Sequence, residues 1–337
     1  RPWRQGPHRP HTPTRQRDPP PPAVETVAVV DDLAGAPRWR GQRGRLEVWY
    51  ATATDRATGT GVWVHHERIA PTEGEPYAHG WVALFPPDAP PVVERYGHEP
   101  YAEPDAGQWF TSASASVGPG RFRGSVSTAT WDVGWSGEER PMWTLPRRMW
   151  ERELLPSAHV VLAPKAAMSG TLEVAGHLLD LNGTGAVSHI YGLGNAQRWG
   201  WLHADLGDDT SLEIVAAVAR RPGMRALPPL AFVQLRRGGK DWPGDPLLTA
   251  PLFRTRLSST SWRVRGIVGR QRLTVIVNQP DDRCVRLDYT DPNGDGAVCT
   301  NTERADVDVR LDKWRGRWIT EAEWSLEGTA HAELGTR

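Results

Sequence analysis

Between Leu46 and Glu333 the chain is a succession of short runs rich in β-branched and aromatic residues, each closed by Gly, Pro, Asn or Asp. Runs spaced by about 8 to 12 residues, with no 10- to 15-residue helical pattern between them, restrict the fold to sandwiches or barrels and exclude alternating β and α units. Leu46 to Thr54 and Val62 to Ile69, around a polar turn at Asp55 to Gly61, read as an opening hairpin. Further strands are expected at 81–85, 108–116, 121–135, 170–181, 186–191, 199–206, 211–219, 231–236, 261–267, 272–278, 284–289, 305–311 and 323–333. Only Pro146 to Leu155, with Met149, Trp150 and Leu154 on one side, has helical spacing. The expected class is all-β, with antiparallel strands and at most one or two short helices. One closed barrel seldom uses so many strands, so two β-domains follow, 38–185 and 186–337. The arm ahead of them, residues 1–37, is Pro, Arg, His and Thr with little to bury, and reads as disordered or extended polyproline.

A chain of 337 residues can support two cores. Its 40 basic and 40 acidic side chains balance, which leaves no field to draw nucleic acid or an anionic membrane. The only lysines are Lys165, Lys240 and Lys313, a coding bias and not a phosphate patch. No apolar run approaches the roughly 20 residues of a membrane span. The two cysteines, Cys284 and Cys299, flank a turn and could meet across a hairpin, but one pair makes no disulfide scaffold. A cytoplasmic monomer or homodimer is expected, peripheral to a membrane or exported if a leader has been removed. The unusual number is 17 Trp against 6 Tyr and 5 Phe, which fits either a large aromatic-lined cavity or the filling of two cores.

The stretch Trp199 to Leu206 alternates, so Trp199, Trp201, His203 and Asp205 share one strand face, with His189 and Tyr191 brought to its end by a Gly- and Asn-rich turn. Two indoles, an imidazole and a carboxylate in a row suit the wall of a ligand chamber. His189, Tyr191, His203, Asp205 and Asp132 could supply general acid or base groups. Taken singly, each more often describes a satisfied polar group in a core, except His189, whose Gly-flanked segment suits either role equally. Asp291 to Gly296 matches the first half of a calcium loop, but Thr302 stands where the closing Glu belongs, and Asn-Gly and Asp-Gly favour a plain hairpin turn. His65 and His66 would point to opposite strand faces and cannot share a metal. No nucleophile elbow, phosphate loop or dinucleotide fingerprint is present.

Four places resemble the two-domain lipocalin-like family that groups carotenoid 1,2-hydratase, tocopherol cyclase, AttH-type proteins and lipocalin-like Diels–Alderases. They are Glu47-Val48-Trp49-Tyr50, Trp131-Asp132-Val133, Ser188-His189-Ile190-Tyr191-Gly192, and Arg198-Trp199-Gly200-Trp201-Leu202. The resemblance implies two lipocalin-like β-barrel or sandwich domains and a hydrophobic isoprenoid or polyketide-like partner. It also implies a lyase- or isomerase-type hydratase, cyclase or pericyclase working with no metal or organic cofactor. It places His189 as acid or hydrogen-bond donor, with Tyr191 and Asp132 beside it, and Glu47, Trp49, Trp131, Trp199, Trp201, His203 and Asp205 lining the substrate. The chain departs from the pattern where Ser188 or Ile190 replaces a carboxylate and Tyr191 a Trp. A non-catalytic lipid- or isoprenoid-binding protein of the same fold is the other reading.

Overall fold

The computed structural model describes residues 32–153, 157–220, 223 and 226–337; residues 1–31 of the expected arm lie outside it. The N-terminal sheet comprises β1 (Arg45–Asp55), β2 (Gly61–Ala70), β3 (Tyr77–Phe85), β4 (Val92–Pro100), β5 (Phe110–Thr111), β6 (Ala115–Gly118), β7 (Arg121–Val126), β8 (Ala129–Ser136), β9 (Met142–Trp143), β10 (Ser157–Val174) and β11 (His177–Gly192). The C-terminal sheet comprises β12 (Arg198–Gly207), β13 (Thr210–Val218), β14 (Leu230–Arg237), β15 (Lys240–Trp242), β16 (Phe253–Leu257), β17 (Ser261–Val268), β18 (Gln271–Asn278), β19 (Val285–Thr290), β20 (Gly296–Trp314) and β21 (Trp318–Thr336). All pairings are antiparallel, and in each sheet the first strand is hydrogen-bonded to the last, β1 to β11 and β12 to β21. Among the described residues, helix is confined to α1 (Asp32–Gly35), α2 (Arg147–Glu151), α3 (Pro246–Thr249) and two 3₁₀ turns.

Strand alternation builds three apolar layers. Trp49, Ala51 and Ala53 of β1 join Val62, Val64, Trp131 and Val187 in the core of the N-terminal sheet. Leu202, Ala204, Leu212 and Ile214 join Val275 and Val307 in the core of the C-terminal sheet. The intervening residues of the same strands, Leu46, Val48 and Tyr50 on one side and Trp199 and Trp201 on the other, meet with Trp63, Trp81 and Tyr289 in a seam between the sheets.

Several boundaries differ from the sequence reading. The 170–181 run is two strands, β10 and β11, reversing at Ala175 and Gly176, both of which have positive φ, 49° and 82°. Ala-Gly carries no Asn or Asp to announce such a turn. The 121–135 run is likewise a hairpin, β7 and β8. The expected domain limit at 185/186 falls inside β11, which pairs with β1 as far as Gly192. Residues 32–37 of the arm are built into the fold, with Ala34 wholly buried in the N-terminal core. Cys284 and Cys299 are unbonded: β19 and β20 are registered so that Leu287, not Cys284, faces Cys299. Asp291 closes the 291–295 turn and is bonded by Asn195, Arg220 and Arg337, which fills the carboxylate that a calcium loop would need.

Candidate functional site

Two polar centres lie back to back on opposite faces of β1 and β11. The first is on the N-terminal core side. Register sets Arg68 of β2 opposite Glu47, and His189 of β11 opposite Trp49. Glu47 Oε1 lies 3.0 Å from His189 Nε2 and accepts the Arg38 amide at 2.5 Å, while Oε2 accepts the Trp39 amide at 3.2 Å and the Arg68 guanidinium. Burial opposes a charge on Glu47, yet His189, Arg68 and the Arg38 amide together hold its carboxyl below the usual range. His189 Nδ1 sits 2.6 Å from the Ala34 carbonyl. The Ala34 carbonyl can only accept, so both ring nitrogens are engaged, Nδ1 with that carbonyl and Nε2 with the Glu47 carboxyl. Trp49 stacks on that ring at 4.7 Å and Trp150 meets it edge-on at 5.0 Å. The segment 34–39 holds the pair in place: Trp49 Nε1 donates to the Gly35 carbonyl at 2.9 Å, and the Arg38 guanidinium to the Trp150 carbonyl at 2.8 Å. All the polar atoms of the Glu47–His189 pair are thus met by protein groups.

The second centre lies in the seam. Tyr50 of β1 bonds His159 Nε2 at 3.1 Å, whose Nδ1 is 2.9 Å from the Thr144 hydroxyl. Glu213 accepts Trp201 Nε1 at 2.6 Å and His203 Nδ1 at 3.0 Å. Glu333 accepts Trp199 Nε1 at 2.5 Å and the Cys299 thiol at 3.4 Å. The Trp199 indole can lie there because Gly335, opposite it on β21, has no side chain: a Cβ would come within 1.9 Å of the ring. Glu303 accepts the Thr52 hydroxyl through Oε2, and His331 Nδ1 is 2.7 Å from the same oxygen but out of hydrogen-bonding alignment. Glu303 Oε1 and His203 Nε2 are buried without an aligned partner. Burial pushes the Glu303 and Glu333 carboxyls up, Glu303 well above the usual range, and pushes His331 down to about 3.

The sequence-predicted residues therefore do not form one chamber. Glu47, Trp49, Trp131, His189 and Tyr191 belong to the N-terminal core, whereas Trp199, Trp201 and His203 face the seam. Asp205, at the end of that row, is half-buried and lies 3.5 Å from Lys165 Nζ. Asp132 is on the outer face of β8, paired with Arg121 and Arg123, in an open groove of about 490 Å³ lined also by Ser116, Ser125 and Thr171. That places it away from both centres, because alternation that turns Trp131 inward turns Asp132 outward. Sequence reasoning passed over Tyr50, His159, Glu213, Glu303 and His331. Glu213 and His331 carried a signal, a lone titratable residue within Ser-Leu-Glu-Ile-Val and Ala-His-Ala, since such residues in strands buried on both faces need a partner.

An AttH protein of Nitrosomonas europaea matches with a TM-score of 0.56 at 16% identity, over 93% of this chain and 98% of its own. Kievitone hydratase of Nectria haematococca matches with a TM-score of 0.51 at 10% identity, over 91% and 95%. The molecule is thus a lipocalin-like protein of two curled β-sheets. An uncharacterized protein of Mycobacterium tuberculosis is 52% identical over 316 residues, 92% of this chain and 93% of that protein. The tocopherol cyclase-like family model matches residues 111–336, and the chain belongs to that family.

Proposed function

We propose that the chain is a cyclase- or hydratase-type enzyme that adds a proton and then an oxygen nucleophile across an alkene of a hydrophobic isoprenoid or polyketide-like molecule. The reaction site in this reading is the seam, and no metal or organic cofactor takes part. One observation carries the proposal: a seam walled by Trp63, Trp81, Trp199, Trp201 and Tyr289 encloses carboxyl and imidazole atoms that no protein group satisfies. Aromatic faces stabilise developing positive charge and keep water from intercepting it. The Glu47–His189 pair has the supporting role of fixing β1 against β11, so that Tyr50 and Thr52 on the opposite face are held still. His189 could act as the acid only if the 34–39 segment left it, since both of its nitrogens are occupied.

The seam side chains are buried, so admitting a substrate means repacking along it. Intrinsic Trp fluorescence titrated with acyclic polyenes, prenylated hydroquinones and long-chain fatty acids tests this. Saturable quenching is expected, weakened in Trp201→Ala; absence of quenching by every probe overturns the proposal. A non-catalytic binding protein is the second reading, favoured by Ser188 or Ile190 standing where the family resemblance expects a carboxylate. Quenching without turnover of any quenching ligand would select it.

A further inference from the structure

Three carboxyls from the C-terminal sheet project into the seam, and their hydrogen bonds separate them. Glu213 has one oxygen committed to Trp201 and the other to His203. Glu333 divides its oxygens between Trp199 and Cys299. Glu303 has one oxygen bonded by Thr52, and its Oε1 is buried without an aligned partner, the Asn301 amide being near the carboxyl but out of alignment. A buried group left unpaired costs about 1–3 kcal/mol, which is tolerated where a bound molecule supplies the missing partner.

The surroundings are built for this side chain. Glu303 lies in an irregular stretch of β20, where the register with β21 slips between Thr302 and Ala305. It is entirely buried and pressed against the start of β2, where a Cβ on Gly61 would come within 2.5 Å of its own Cβ. The facing groups are Tyr50 and Thr52 from β1, His203 from β12, Asn301 from its own strand, and His331 and Glu333 from β21, with Glu213 of β13 on the far side of Tyr50 and His203. No arginine or lysine is among them. Burial accordingly keeps Glu303 in the neutral acid form well above the pH at which an exposed glutamate ionises, against the weaker opposing pull of Asn301 and His203.

We propose that Glu303 is the proton donor of the seam. This rests on the reaction proposed above. The carboxylic acid gives its proton to one alkene carbon, the π pair forming the new C–H bond, and the more substituted carbon is left cationic beside the aromatic wall. A lone pair from water, or from the substrate's own hydroxyl, forms the C–O bond, and the proton released from that oxygen returns to the Glu303 carboxylate. The protein ends as it began, and water or the internal hydroxyl is the sole co-reactant.

Two measurements test the assignment. Infrared difference spectra at neutral pH, wild type minus Glu303→Gln, are expected to show the carbonyl band of a protonated carboxyl that the variant lacks; absence of the band overturns the assignment whatever the activity. The second is incubation of a prenylated hydroquinone and an acyclic polyene in D₂O, with products read by mass spectrometry. Wild type should incorporate one deuterium at carbon. Glu303→Gln, a near-isosteric neutral replacement, should lose about 10²- to 10⁴-fold in turnover while keeping its thermal midpoint and fluorescence quenching, and Glu303→Asp should recover part of the loss. Wild-type turnover in Glu303→Gln would place the acid elsewhere and leave the proposed function standing. Failure of the wild type to turn over either quenching probe would remove both.

Discussion

The two polar centres differ in how completely the protein answers them. On the core side of β1, Glu47 has four partners, and His189 finds a partner at each nitrogen. On the seam side, a few residues along the same strand, Thr52 is the aligned donor to Glu303, whose second oxygen faces no aligned group. Both centres are equally inaccessible to water, so burial does not separate them; satisfaction does. A buried pair whose hydrogen bonds are complete holds the fold together, and a carboxyl with an oxygen left without an aligned partner has capacity to spare for another molecule.

This contrast can be broken most directly in the N-terminal core. His189→Ala leaves the Glu47 carboxyl buried without its imidazole partner, and should lower the unfolding free energy by about 3–5 kcal/mol in urea titrations; a loss below about 1 kcal/mol would mean the pair is not a structural fastening. The next effect concerns Glu67 on β2, whose side chain faces His65 at 3.6 Å and His79 at 3.3 Å. Burial works to raise this carboxyl, but the two rings outweigh it and hold it down to about 2 from an ordinary 4.5. Because the folded value is the lower one, the stabilisation is present above about pH 4.5 and is lost as the pH falls toward 2. Glu67→Gln should therefore flatten stability against pH across that window, by no more than about 3 kcal/mol. An unchanged acid limb would show that His65 and His79 do not hold the Glu67 carboxyl in its charged form. The smallest effect is expected at Asp132→Asn: its side chain is 37% exposed, its ion pairs are on the surface, and a change within about 0.5 kcal/mol is predicted. A change in turnover there would redirect attention to the outer groove.

The architecture was legible because period-two alternation and turn residues survive in almost every strand, and the short motifs around Glu47, Trp131, His189 and Trp199 carried the family. The division of the site was not. Alternation says that neighbouring residues face opposite ways, but it cannot say that the face bearing Trp199, Trp201 and His203 looks outward at another sheet and not into its own core. Glu303 was less accessible still. The register slip after Thr302 removes it from any clean alternation, and its partner Thr52 is 251 residues away in sequence. His189 and Tyr191 were placed beside the Trp201 row by chain proximity, yet the β1–β11 pair stands between them and that row.

Pairing the first strand of each sheet with its last has a consequence for synthesis. β1 is among the earliest strands to leave the ribosome, but its neighbour β11 is complete only at Gly192, and Glu47 must wait 142 residues for His189. β12 waits similarly for β21, ending at Thr336. Until then, β1 and β12 each expose one unpaired edge, the condition in which nascent strands find wrong partners. Folding dominated by such distant contacts is slow, so the yield of this protein should depend on how long those two edges stay uncovered more than on the stability of the finished sheets.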